Sequence, residues 1–229
     1  MLLVEILAVV LLADLVSGVV HWWEDSYARV DRGPLRQVAI NNLRHHVRPR
    51  EFLAKGYWES SWDLWLLAAI VVITSIALDV FSWHVLLFAV LSANANQIHK
   101  WTHRTRDENG WLIGSLQRLH LLQTPRHHSR HHQGQRDSHY CVVTNFLNPL
   151  LEEVQFWRRL ERVVQKFTGA TRRNDEDELA RMGLVVRPQP APHFGVRLTV
   201  ARVRDAWGRQ VATGLRAVFA LRISSAQQP

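Results

Sequence analysis

The residues able to do chemistry in this sequence are its imidazoles: 13 of 229 residues are histidine, and most stand in spaced clusters. In His21-Trp-Trp-Glu-Asp25 the outer pair is four apart and shares one helical face. Asp14 lies earlier on the same stripe, with Ser17 and Gly18 between. A carboxylate within an apolar helix is costly and ordinarily faces a polar interior. Taken alone, the pair reads equally well as an interfacial histidine with an aspartate at a helix end. His45 and His46 form a doublet in the basic stretch RHHVRP, a weak signal by itself. In Asn96-Gln-Ile-His99-Lys-Trp-Thr-His103, His99 and His103 have the spacing by which one helical face offers two imidazoles to a metal, and Asn96 joins that face. The most specific cluster is His127-His128-Ser-Arg-His131-His132, preceded by His120. On a helix, His127 pairs with His131 and His128 with His132. Chance produces this pattern on the order of 0.002 times in such a chain, which favours a built site over a nonspecific phosphate-binding patch. His84, His139 and His193 are expected to be bystanders.

A donor set rich in imidazole and free of thiolate suits iron or zinc, not magnesium or calcium. Cys141 is the single cysteine, so disulfide frameworks, cysteine-ligated zinc and iron–sulfur clusters are excluded. So many N and O donors are too many for one ion and fit two. Two irons with open positions activate O2, and a neighbouring bilayer offers an inert hydrocarbon to oxidise. Haem is the competing reading, but it calls for single axial histidines facing each other at membrane depth, whereas these cluster at helix ends and in doublets.

The elements that must position these groups follow from the charge distribution. None of the 28 Lys and Arg lies in residues 1–28 or between Lys55 and Lys100. Residues 1–20 are apolar and long enough to cross a hydrocarbon core about 30 Å thick. The early charge is Glu5, not a basic residue, so a retained helix is expected over a cleaved signal. Residues 64–78 and 80–98 predict a helical hairpin turning near Asp79–Ser82. Trp22, Trp23, Trp58, Trp62, Trp65 and Trp101 mark one membrane interface and Trp83 the other. Three spans then put every Lys and Arg, and all four histidine clusters, on one side, which the positive-inside rule makes cytoplasmic. The expected fold class is therefore all-α: a multi-pass membrane helical protein with a cytoplasmic His-rich helical cap. Residues 1–170 would form the membrane domain and 171–229 a polar, basic tail, in which 195–224 could lie as an interfacial helix. The net charge of +8, with 25 Arg, suits anionic lipid headgroups, and no nucleic-acid partner is expected. The bacterial inner membrane, or the endoplasmic reticulum in a eukaryote, is the expected location. Oligomeric state is not readable from these features.

The stretches DLVSGVVHWWED (14–25), HH (45–46), NQIHKWTH (96–103), PRHHSRHH (125–132) and YCVVTNFLNPLLEEVQFWRRLE (140–161) resemble the Kua family of plasmanylethanolamine desaturases and their bacterial CarF-type relatives. The likeness covers roughly residues 10–175, and departs at Asn145-Phe146, where the family has Gly-Trp. It implies a membrane enzyme with two iron ions and O2 as co-substrate. Such an enzyme converts the alkyl-ether chain of an ether phospholipid to a vinyl ether, with electrons from a small cytochrome or ferredoxin. By motif, it implies that His21, His45, His46, His99, His103, His127, His128, His131 and His132 hold metal and that Asp25 orients a ligand or moves a proton. An acyl-lipid desaturase, a hydroxylase and a non-catalytic membrane regulator binding metal or lipid are the alternatives.

Overall fold

A computed structural model describes residues 1–184, whose regular structure is entirely helical. The stretch 195–224 lies outside the described residues. Helix α1 (Leu2–Tyr27) is apolar along its first half and continues well past residue 20, so His21 and Asp25 ride on the same helix as Asp14. It ends where Arg173 supplies the missing partners: its backbone N–H donates to Ser26 O, and its Nη1 donates to Glu24 O and Ala28 O. Helix α2 (Arg36–Val47) carries the doublet His45-His46 in its last turn, and Pro49 ends it in a short 3-10 turn, Pro49–Ala54.

Helices α3 (Tyr57–Ala77) and α4 (Trp83–Ala93) form the expected hairpin, reversing through Leu78–Ser82. Small side chains let them approach closely: Ala68, Ala89 and Ala93 are buried against Trp65 and Val72. Helix α1 packs on α4. Helices α1 and α3 are long and apolar enough to cross a membrane, whereas α4 has 11 residues. The run 80–98 is not one helix. It breaks at Asn94, whose Nδ2 donates back to Val90 O while its Oδ1 accepts from Tyr57 Oη, and α5 (Ala95–Thr102) resumes beyond the break.

Helix α6 (Arg106–Arg118) starts at a capping box made by Thr105 and Glu108. Helix α7 (Pro125–His128) is a single turn, and α8 (Leu147–Glu153), α9 (Phe156–Thr168) and α10 (Asp175–Arg181) follow. Between α7 and α8 the chain runs extended through Tyr140–Thr144 along the polar stripe of α1. Val142 N donates to Ser17 Oγ, Val143 N to Asp14 Oδ1, and Thr144 Oγ1 to Asp14 Oδ2. Gly18 permits this approach, since a Cβ there would stand 2.6 Å from Cys141 Sγ. Trp22, Tyr140, Cys141 and Trp157 close over the contact, each aromatic ring removing roughly 150–250 Å² from water. The polar run after 170 is also packed: Leu179 of α10 is buried with Ala28, Val30, Ala39 and Leu43.

Candidate metal centre

Eight of the nine predicted histidines, together with Asp25, converge in two adjacent groups. His21 and Asp25 come from α1, His45 and His46 from α2, and His99 from α5, with His103 just past the end of α5. His128 closes α7, and His131 and His132 lie in the turns beyond it. The first group is His21, Asp25, His46 and His131; the second is His45, His99, His103, His128 and His132. Within each group one donor atom per residue lies within 4.8 Å of all the others. Ring centroids of His45 and His46 are 6.0 Å apart and those of His131 and His132 5.4 Å, so the groups are contiguous.

Donor chemistry decides what the first group is built for. His21 Nδ1 lies 3.0 Å from Tyr140 O, and His131 Nδ1 lies 2.8 Å from Ser138 O. A carbonyl only accepts, so each Nδ1 carries the hydrogen and each Nε2 presents a lone pair. Those two lone pairs face Asp25 Oδ2, both at 3.3 Å, and His46 Nε2 stands at the same 3.3 Å from it. Asp25 Oδ2 is buried and accepts no hydrogen bond among the described residues. One proton on His46 cannot satisfy three acceptors, whereas a cation at their centre does. Asp25 Oδ1 is held from outside by Asn42 Nδ2 at 3.3 Å and faces Arg173 Nη2 at 3.7 Å.

In the second group His99 Nε2 lies 3.1 Å from the Nε2 of His45, 2.9 Å from that of His128 and 3.2 Å from that of His103. His128 Nε2 is in turn 3.0 Å from His132 Nε2. An imidazole nitrogen makes one hydrogen bond along one direction, so three such neighbours are the geometry of convergent ligands. Burial, then the neighbouring imidazoles, hold His45, His99 and His128 well below the ordinary histidine range. Burial and adjacent histidines likewise bring His103 down to about 3, and burial leads in bringing His131 to about 4. All are neutral at neutral pH, the form that ligates metal. The residues fit two metal ions, one in each group.

His127 does not join them. Helix α7 gives out at His128, and of the two pairs that the motif offers only His128 with His132 is made, at 3.0 Å. The His127 ring points instead to Asn148, whose Nδ2 donates to its Nε2 at 3.2 Å, and lies beside His139. His120 Nδ1 accepts from Asn145 Nδ2, and His84 meets Glu5 at 3.1 Å, both away from the centre. Asn96 reaches Ser60 O and ties α5 to α3. The sequence reading missed Arg173 and Asp175. Arg173 Nε donates to Asp175 Oδ1 at 2.9 Å, and Asp175 Oδ2 faces His46 Nδ1 at 3.8 Å. Their signal, an arginine and an aspartate in a polar run, is indistinguishable in sequence from a solvated tail.

An apolar cavity of about 530 Å³ leads to the centre between α1, α3 and α4. Val16, Val20, Leu64, Leu67, Val71 and Phe88 line its length, and His21, His45 and His99 meet it. Glu24, Asn41, Asn42 and Asp63 also line it, giving it a polar end to its wall. A cavity of this volume, with this apolar stretch of wall, has room for a single hydrocarbon chain beside the candidate metal ligands.

A family model described as the lipid desaturase domain matches residues 10–175. The chain is 28% identical over 194 residues to plasmanylethanolamine desaturase 1 of Mus musculus, covering 79% of this chain and 71% of that protein. It is 31% identical over 186 residues to plasmanylethanolamine desaturase of Myxococcus xanthus, covering 77% of this chain and 65% of that one. It is also 31% identical over 160 residues to the chloroplastic fatty acid desaturase 4 of Arabidopsis thaliana, covering 67% and 48%. The chain thus spans part of the length of each. No solved structure matches it.

Proposed function

The chain belongs to the lipid desaturase domain family, and on that premise we propose that it is a membrane diiron, O2-dependent desaturase converting the alkyl-ether chain of an ether phospholipid to a vinyl ether. The observation that carries the reading is the apolar cavity's ending on His21, His45 and His99, members of both donor groups. Two iron ions in those groups would supply the redox chemistry that reduces O2 and removes two hydrogens from adjacent chain carbons. The protein's own residues do the rest. Val16, Val20, Leu64, Leu67, Val71 and Phe88 hold the chain in line and keep water from it. The Tyr140 and Ser138 carbonyls fix the tautomers of His21 and His131 so that both Nε2 atoms face inward. Asp25, anchored by Asn42, orients this set, with Oδ2 turned to the three imidazoles. With α1, α3 and α4 read as membrane-embedded, every Lys and Arg lies on the side of the histidine centre, which supports a cytoplasmic location for it.

The test is lipid mass spectrometry of cells with and without the gene, with and without fed alkylglycerol. Acid-labile vinyl ethers that require both the gene and the precursor are the expected result. The name of the Arabidopsis relative favours one second reading, an acyl chain as the substrate. New unsaturation confined to ester-linked chains would establish that reading in place of the first. Metal analysis of the purified chain separates both from a non-catalytic regulator: about two irons per chain for an enzyme, none for the regulator.

A further inference from the structure

The second donor group is a wall between two separate openings. His45 and His99 face the apolar cavity, while His103, His128 and His132 line a shallow depression that shares no residue with it. Pro49, Arg50, Thr105, Arg106 and Ser129 form the rim of that depression, and none of α1, α3 or α4 contributes to it. Within this group His103 and His132 are the half-buried members, and the other three are buried. The rim is strongly basic. Arg104 and Arg106 line it, and Arg126 and Arg130 flank Ser129; none of the four has a carboxylate partner among the described residues. Of the nearby acids, Glu108 is already held by Arg50 at 2.6 Å, which leaves Asp107 against four arginines.

We propose that this depression is the docking surface for a small acidic one-electron carrier protein, which delivers electrons to the centre through the half-buried edges of His103 and His132. The inference rests on the desaturase reading, because the reaction's balance creates the need. Forming one carbon–carbon double bond takes two electrons and two protons from the chain. Reducing O2 to two water molecules consumes four of each. Two electrons must therefore arrive from a donor, one at a time from a one-electron carrier, with two protons from solvent. The cavity side is filled by the lipid chain, so a protein donor has to meet the centre at its other opening. Unpaired arginines around that opening steer an acidic partner and raise its association rate by 10–1000-fold over a neutral encounter, an effect that salt removes.

The experiment uses the full-length, metal-loaded protein and a soluble acidic two-iron ferredoxin as the probe. Oxidised ferredoxin is titrated for binding, and the reduced form is mixed anaerobically to follow reduction of the centre, both across a salt series. The triple variant Arg106→Glu, Arg126→Glu, Arg130→Glu is expected to bind at least tenfold more weakly and be reduced at least tenfold more slowly at low salt. Its salt dependence should flatten, while metal content and reduction by dithionite stay as in the parent. The exposed pair Arg159→Glu, Arg162→Glu on α9 should leave all of these unchanged. Equal binding and equal salt slopes in parent and triple variant would overturn the proposal. So would a triple variant that loses only its affinity for phosphatidylglycerol vesicles, since the patch would then serve lipid. Failure of the desaturase reading would show separately, as absence of oxidised lipid with ferredoxin binding intact.

Discussion

The two donor groups are built on different principles although they touch. In the first, His21 and His131 have each outer nitrogen tied to a backbone carbonyl, His46 faces Asp175, and the one carboxylate is anchored by Asn42. In the second there is no carboxylate among the described residues, and within them the outer nitrogens of His45, His128 and His132 have no hydrogen-bond partner. Fixed tautomers and a negative charge raise affinity and hold geometry. Unanchored neutral imidazoles leave the rings freer to adjust and add no charge to offset the ion. The group that meets both the cavity and the basic depression is thus the adaptable one, and the group buried beneath Tyr140 is the rigid one. The first should retain its metal when the second has lost it.

The strongest way to break this comparison is to remove the hub of the second group. His99→Ala takes away the one nitrogen in contact range of three others. Turnover should become undetectable, and metal per chain should fall from about two to about one by elemental analysis. His131→Ala should also abolish turnover, but with metal falling further, since the rigid group loses its frame. Two retained ions in His99→Ala would end the division into two sites.

Asp25→Asn comes next in size. The side chain keeps its shape and its contact with Asn42 but loses the charge that three imidazoles face. Turnover should fall by about 10–100-fold, the scale set by loss of a carboxylate that orients metal-bound histidines. The protein should still fold and should keep the metal of the second group. Wild-type turnover would reduce Asp25 to a helix-end residue and leave the histidine site standing.

How much of this was legible in the sequence divides along the same line. The stripe Asp14, Ser17, Gly18, His21, Asp25 is visible by helical spacing alone, because every member lies on one helix. What the stripe binds is not visible, because the extended segment Tyr140–Thr144 reaches it from more than a hundred residues away. The i,i+4 pair His99 and His103 was readable for the same local reason. The spacing of HHSRHH was misleading for His127, since it assumed a helix that stops after one turn. The doublet at 45–46 is a weak signal because arginines surround it, yet it closes a helix whose other face is buried under α10. Long-range partners leave no periodicity in the sequence, and most of the anchoring residues are of that kind.

Asp175→Asn probes the anchoring with a smaller effect. Its Oδ2 stands 3.8 Å from His46 Nδ1, longer than a hydrogen bond, and its other oxygen is shared with Arg173. Turnover should fall by less than about tenfold, below the range for a directly bonded orienting carboxylate. The metal of the first group should be lost to a chelator faster than in the parent, while the second group's rate of loss stays the same. An equal acceleration at both groups would mean that the clasp formed by Arg173 and Asp175 steadies the whole fold, with no preference for one site.

The smallest effect belongs to His127, and it is the most discriminating test of where the centre ends. The motif treats His127 and His131 as equals, but their rings do different things. His131 presents Nε2 to Asp25, whereas His127 Nε2 accepts a hydrogen bond from Asn148, which also accepts from Cys141 N and donates to Cys141 O. Burial, then His139 and Arg130, bring His127 down to about 4, so at neutral pH it is an uncharged acceptor. His127→Gln can still offer an oxygen to Asn148 but has no imidazole for a metal. If His127 only braces Asn148, this variant should keep two metal ions and at least about half of the parent turnover. Its cost should appear in stability instead, at about 1 kcal/mol for one hydrogen bond remade imperfectly. His127→Ala, which cannot accept at all, should cost more stability than His127→Gln without losing metal. A His127→Gln chain that folds normally but binds one ion would return His127 to the ligand set and require the turn after His128 to rewind into helix when metal binds.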